Sequence, residues 1–238
     1  QSGMVAADRV FPLIDQRPAV TDPVSPLPFP GGQLSLEFKN LRFEYEPGKP
    51  ILKGINARIP AGSSLAILGH NGCGKSTLAQ AISGDLNYQS GEITIDGREL
   101  QTISLEEQAD LRSVVEQNRN YWLSFTAREV ISMGQSEADL ARIDGVMQRL
   151  QITEYADQSV TTLSGGQAQR VELARALIRD TPIYIFDEPL SAQDSQSKAR
   201  IIEEFQALQR AGKTIIVIAH IDRQALSWCD QIIDFTQN

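Results

Sequence analysis

The eight residues from Gly69 to Ser76, Gly69-His70-Asn71-Gly72-Cys73-Gly74-Lys75-Ser76, fit the pattern G-x-x-x-x-G-K-[ST]. They follow the apolar run Leu65 to Leu68 and precede a helical pattern, the context in which this spacing cradles phosphate. Glycines let the backbone curl so that successive N–H groups converge on one anion. A helix N-terminus adds a favourable field. Lys75 would supply a point charge to the outer phosphates, and Ser76 a hydroxyl ligand for Mg²⁺. A second apolar run, Ile183-Tyr184-Ile185-Phe186, ends in Asp187-Glu188. Carboxylates at the end of a buried parallel strand stand where ligands bind. Asp187 would hold Mg²⁺ through water, and Glu188 would polarise an attacking water.

A third segment, Leu163-Ser164-Gly165-Gly166-Gln167, has the form of a helix capping box, with Ser164 as cap and Gln167 reaching back from the third helical position. A cap has no need of two glycines. Gly165 and Gly166 suggest that the backbone at this helix start is approached closely by a second anion.

These segments need a scaffold, and hydrophobic periodicity supplies one. Leu34, Leu36 and Phe38 alternate with polar residues, as do Leu41, Phe43 and Tyr45, and both runs read as strands. Asn56 to Ile59 and Ser64 to Leu68 read as two more, split by the Pro60-Ala61-Gly62 turn. Ile93 and Ile95 precede the turn Asp96-Gly97. A helix is expected from Lys75 to about Ser83. Leu105 to Leu111, Thr126 to Met133 and Ala138 to Leu150 have helical spacing. The strands Ile183 to Phe186 and Thr214 to Ala219 are apolar throughout, as buried parallel strands are. Between them Gln196 to Arg210 reads as an amphipathic helix, completing a βαβ unit. Six of the eleven prolines lie between Pro12 and Pro30, so the stretch from Pro18 to Gly32 reads as a linker.

Composition narrows the classes. The 238 residues are 41% hydrophobic and 22% charged, which excludes a disordered, collagenous or disulfide-scaffold chain. With 22 basic and 30 acidic side chains the net charge is −8, which disfavours general nucleic-acid binding. Two cysteines, Cys73 and Cys229, make neither a metal motif nor a disulfide framework. The longest apolar stretch, Ile215 to Ala219, is too short to span a bilayer, and no signal peptide is expected. A membrane role would come through a partner or through a part of the protein absent from this chain.

The phosphate loop, Leu163 to Gln167 and the Asp187-Glu188 strand end, in an order that spans about Leu34 to Asp234, resemble the ATP-binding cassette ATPase family. The resemblance implies an α/β fold. Its core would be a P-loop NTPase sheet, mostly parallel and flanked by helices, with an N-terminal antiparallel β-subdomain and a small α-helical subdomain at about 118–175. It implies ATP and Mg²⁺ as ligands. Gly69, Asn71, Gly72, Cys73, Gly74, Lys75, Ser76 and Thr77 would take the phosphates, and Tyr45 would stack on adenine. Ser76, Gln117 and Asp187 would hold the metal. Glu188 would act on water, His220 would contact the γ-phosphate, and Gln117 would link metal and water to a transmembrane contact. Two such cassettes, identical or different, would meet head to tail. Ser164, Gly165, Gly166 and Gln167 would then close over the partner's ATP, with Asp194 in the loop that crosses the interface. The family usually has leucine where this chain has Gln193.

A transporter domain at the cytoplasmic face of the inner membrane is the leading expectation, with no nucleic-acid partner. Ala6 to Asp15 resembles the connector that follows the last membrane helix of exporters, so residues 1–33 would link residues 34–238 to a transmembrane domain absent from this chain. Phe125 to Gly134 looks more like importer cassettes. The chain also stops soon after Ile233, without the usual closing strand and helix. An exporter is the first reading and an importer subunit the alternative. A soluble cassette protein of translation or repair would carry two cassettes or a coiled-coil insertion, and this chain has neither. An idle nucleotide-binding module would not retain Lys75, Glu188 and His220.

Overall fold

The computed structural model describes residues 32–117, 123–220 and 223–235. The expected linker and exporter-like connector thus lie outside the described residues, except for Gly32 and Gln33.

Two sheets share the chain. The first is antiparallel, in the order β2-β1-β4-β5, and is built from β1 (Leu36–Glu44), β2 (Pro50–Ile59), β4 (Ser90–Ile95) and β5 (Arg98–Glu99). The second is parallel, in the order β6-β7-β8-β3-β9, and contains β3 (Ser64–Leu68), β6 (Arg112–Val115), β7 (Ile183–Asp187), β8 (Thr214–Ala219) and β9 (Gln231–Asp234). Around them lie α1 (Lys75–Ile82), α2 (Leu105–Leu111), α3 (Ala127–Ser132), α4 (Glu137–Leu140), α5 (Ile143–Arg149), α6 (Gly165–Leu177) and α7 (Ser195–Arg210). The α/β class and the two kinds of sheet match the expectation.

Successive residues of a strand face opposite sides of its sheet, and here that rule divides the interior in two. Leu65, Ile67, Ile183, Ile185, Ile216 and Ile218 pack with the antiparallel sheet and α1. Their neighbours Ala66, Leu68, Tyr184, Phe186, Ile215 and Val217 pack with α3, α5, α6 and α7. Strands covered on both faces need apolar residues at every position, which is why β7 and β8 carry no alternation.

Four details depart from the sequence expectation. The two runs from Leu34 to Tyr45 form one strand, not two. Asn40 has φ 47° and the pairing with β2 shifts between Phe38 and Leu41, so Phe38 and Leu41 are both buried although three apart. Such a bulge shifts the alternation by one. Opposite it Gly54 has φ 99°, and a Cβ there would lie 2.8 Å from Asn40 Oδ1. The strand expected over Asn56 to Ile59 begins at Pro50. The helix expected over Ala138 to Leu150 is broken after Leu140, with the Ser136–Asp139 capping box on the first piece. The break leaves Leu140 exposed and turns Ile143, Val146 and Met147 inward. Finally, Gln231–Asp234 forms a strand that the sequence pattern does not announce, paired in parallel with β3. Only Ile232 and Ile233 are apolar there, too short a run to announce itself.

Candidate functional site

The parallel register decides which residues can meet. Val115 pairs with Phe186, Asp187 with Ile218, and Leu68 with Ala219. The carboxyl ends of β6, β7, β8 and β3 therefore finish on one rim. Glu188, His220 and Gly69 follow directly on that rim, and Gln117 one residue further on. Segments far apart in sequence converge because four strand ends are level.

The loop from β3 to α1 is shaped by its glycines. Gly72 has φ 81° and Gly74 φ 100°, where a side chain is strained. A Cβ on Gly74 would also stand 3.0 Å from Ile51 Cγ2. The loop wraps the buried Lys75, whose ammonium donates to the carbonyls of Gly69 (2.8 Å) and His70 (3.0 Å). A cavity of about 360 Å³ opens beside it, lined by Tyr45, Asn71, Lys75, Ser76, Gln117 and Glu188 among others. Tyr45 is 61% exposed, its ring edge-on to Phe43 and its hydroxyl 3.4 Å from Thr77 Oγ1. An exposed ring at the mouth of a polar cavity is placed to stack on a planar group.

Ser76, Gln117 and Asp187 line a neighbouring cavity of about 280 Å³. Burial pushes the Asp187 carboxyl up to about 6, with a hydrogen bond from the Ser76 hydroxyl pulling the other way and the charge of Glu188 adding to the rise. Asp187 Oδ1 is buried with no hydrogen-bond partner. A desolvated carboxylate oxygen without a donor is costly, and a cation among these oxygen ligands would remove that cost. The residues fit Mg²⁺.

Glu188, Asn71, Ser191 and His220 line a third cavity of about 270 Å³. Glu188 has φ 51°, a left-handed conformation unusual for a residue with a side chain. Its N–H donates to Ile218 O (2.8 Å), and its carbonyl accepts from Gln169 Nε2 (2.7 Å), Ser191 Oγ (3.0 Å) and Ser191 N–H (3.2 Å).

Ser164 to Gln167 lie elsewhere. Gln167 N–H donates to Ser164 Oγ (3.3 Å), and Ser164 N–H to Gln167 Oε1 (2.9 Å), the expected capping box. Ser164 and Gly165 are exposed, and the four residues line none of the three cavities. The two glycines divide. A Cβ on Gly166 would stand 2.6 Å from the Ala192 carbonyl, so its own chain requires that glycine, whereas the space above Gly165 is open to 4.0 Å. The proposed approach of a second anion therefore rests on Gly165 alone. Asp194 is likewise away from the cavities. Its carboxylate caps α7, accepting from Ser197 N–H (2.8 Å) and Ser197 Oγ (3.0 Å), which hold it below the usual carboxylate range.

The sequence reading missed Gln169 and Arg170, and left Gln193 without a role. Gln193 is buried. Its Nε2 donates to Gly166 O and to Gln169 Oε1 (2.9 Å each), and its Oε1 accepts from Arg170 Nη1 (3.1 Å). Arg170 continues to Ser197 Oγ (3.2 Å) and the Tyr155 hydroxyl (3.2 Å). The available signal was that Gly166, Gln169 and Arg170 share one helix face by the i, i+3, i+4 rule.

A family model described as ABC transporter matches residues 52–191. The chain is 33% identical over 225 residues to the hemin import ATP-binding protein HmuV of Rhodococcus jostii, covering 91% of this chain and 76% of that protein.

The chain belongs to the ABC transporter family.

Within that family it is an ATPase domain that binds ATP. It is also 33% identical over 231 residues to the ATP-dependent lipid A-core flippase of Desulfotalea psychrophila, across 92% of this chain but 40% of the flippase. A solved bacterial Atm1-family ABC exporter with ATP bound superposes with a TM-score of 0.87 at 28% identity, covering 98% of this chain and 42% of that one. The ABC domain thus spans most of an importer's ATP-binding protein and about two fifths of the two exporter-type chains. No helix among the described residues is long and apolar enough to cross a membrane.

Proposed function

We propose that this ABC domain hydrolyses Mg·ATP as one half of a head-to-tail pair, and that the pair drives an exporter. The observation that carries the reading is the common rim, where Lys75, Gln117, Glu188 and His220 surround adjoining cavities while Ser164 and Gly165 face outward elsewhere.

On this reading the backbone N–H groups of Gly69 to Gly74 and the ammonium of Lys75 take the phosphates, and Tyr45 stacks on the base. Ser76, Gln117 and Asp187 hold Mg²⁺, which would neutralise charge developing on the phosphoryl oxygens when bound. Glu188 accepts a proton from the attacking water. His220 donates a hydrogen bond to the outer phosphate from the opposite side. The partner's Ser164-Gly165 helix start closes the site, with the loop bearing Asp194 between the two domains.

The transmembrane partner, fused or separate, would contact the groove of about 490 Å³ lined by residues of α2, β6 and α6, including Arg112, Glu116, Glu172 and Arg175. That contact would hold the domain at the cytoplasmic face of the inner membrane. The likeness to the flippase and to the Atm1-family exporter across nearly all of this chain supports an exporter. The likeness to HmuV supports the second reading, an importer's ATP-binding subunit.

Glu188→Gln tests the chemistry. The amide keeps the shape and cannot take the proton, so the variant should bind ATP normally and lose hydrolysis by about 100-fold or more. Phosphate release at the wild-type rate would refute the role of Glu188.

A further inference from the structure

The carboxylate of Glu188 is aimed by a backbone that is itself strained. With φ at 51°, that backbone has to be held from both sides. On one side its N–H is tied to Ile218 O, within the sheet. On the other its carbonyl is tied to Gln169 Nε2 and to the nearby Ser191, through both its Oγ and its N–H. The Gln169 bond is the long-range one, because it comes from α6. A carboxamide can turn its two ends around. Gln169 presents its nitrogen to Glu188 and its oxygen to Gln193, whose Nε2 donates to it at 2.9 Å and so favours this orientation over the reverse.

Gln193 is in turn fixed as to which end is which. Its oxygen faces the Arg170 guanidinium and its nitrogen faces two acceptors, Gly166 O and Gln169 Oε1. Arg170 has no acceptor to offer, so the chain of donors runs one way: Arg170 to Gln193, Gln193 to Gln169, Gln169 to Glu188. The crossing loop lies close enough for this because Gly166 has no Cβ to meet the Ala192 carbonyl.

We propose that Gln193 is a positioning residue for Glu188, acting through Gln169. Gln193 sets the orientation of the Gln169 carboxamide, and Gln169 holds the carbonyl that aims the general base. The same Gln193 nitrogen holds the first turn of α6, so the helix start that carries Ser164 and the carboxylate of its own chain move together. A leucine at 193 would fill similar space but leave Gln169 Oε1 without its donor and Arg170 without one acceptor. This rests on the reading of Glu188 as the base.

The test is steady-state phosphate release with Mg·ATP, alongside ATP affinity and thermal unfolding, for the wild type, Gln193→Leu, Gln169→Leu, the double variant and Glu188→Gln. Gln193→Leu should lower kcat by about tenfold, the scale of a slightly misplaced catalytic group, with KM and ATP affinity within about twofold. Because Gln193 works through Gln169, the double variant should be no slower than Gln169→Leu alone. Gln193→Glu keeps the shape and the acceptor for Arg170 but has no N–H for Gln169. It should fall at least as far, and it carries the same comparison should Gln193→Leu not fold. A Gln193→Leu kcat within about twofold of wild type, or single losses that multiply in the double variant, overturns the proposal. With Glu188→Gln inactive, such a result overturns this inference alone. Normal turnover by Glu188→Gln overturns the proposal and the reading beneath it.

Discussion

The phosphate loop and the Ser164 helix start are both glycine-bearing turns into a helix, and they are built to opposite ends. At the phosphate loop Gly72 and Gly74 hold left-handed conformations, the carbonyls of Gly69 and His70 accept from the Lys75 ammonium, and Asp187 Oδ1 is buried without a partner. Polar groups gathered around a cavity with one of them unpaired describe a place that receives a ligand. At the Ser164 turn the side chains find their partners within the chain. Ser164 and Gln167 cap each other, Gly166 is packed under Ala192, and Gln193, Gln169 and Arg170 satisfy one another. What remains exposed there is the outward side of Ser164 and Gly165. On the proposed reading, one turn takes a ligand for its own chain, while the other, its side chains paired internally, offers its outward side to a partner.

Lys75→Ala strikes the receiving side hardest. It removes the positive charge that the loop wraps and should weaken ATP by about 100-fold, the scale of a lost charged contact. Isothermal titration with Mg·ATP checks it, and unchanged affinity would remove the loop from the site.

The second test compares the two glycines of the finished turn. Gly166→Ala drives a Cβ to 2.6 Å from a backbone carbonyl and should destabilise the domain by about 1–3 kcal/mol. Gly165→Ala meets nothing closer than 4.0 Å and should leave stability unchanged or slightly raised, since alanine favours helix. Equal losses in urea unfolding would erase the distinction drawn between them.

The smallest expected effect is a pH dependence at Asp187. Its carboxyl is raised to about 6 by burial, while in the unfolded chain it titrates near the usual 3.8. Between these values the folded state binds more protons, so stability falls as pH rises through the window. The penalty is fully present above about pH 6. With chelator and no nucleotide, Asp187→Asn should therefore melt about 2–4 °C above wild type at pH 8 and level with it near pH 4. A lower melting temperature at pH 8 would mean that the buried oxygen has a partner after all.

What could be read in advance follows the same division. Lys75, Ser76, Asp187 and Glu188 were legible because each motif sits at a strand end, and an apolar run of four or five residues announces a buried strand. Lining up those ends on one rim took the sheet register, which no local pattern encodes. Asn40 hid the unity of β1 because a bulge interrupts the period that identifies a strand. Gln193 was visible as a departure from the family's leucine, yet its meaning lies in Gln169 and Arg170, more than twenty positions earlier in the chain. Side-chain networks are set by tertiary approach, and here that approach depends on a missing Cβ at Gly166.

The claim that two domains share each site is tested most directly by phosphate release across a protein dilution series, for the wild type, Ser164→Ala and Ser164→Arg. Ser164→Ala loses the hydroxyl and with it the helix cap, worth about 1 kcal/mol, but adds no bulk, while Ser164→Arg also puts a bulky cation on the face offered to a partner. Wild-type activity per molecule should rise with concentration, as it does when a weak pair is the active species. Ser164→Ala should keep that rise. Ser164→Arg should bind ATP almost normally, hydrolyse little and show no rise. Wild-type activity that is flat with dilution, together with normal hydrolysis by Ser164→Arg, would contradict the shared site and leave Ser164 a helix cap.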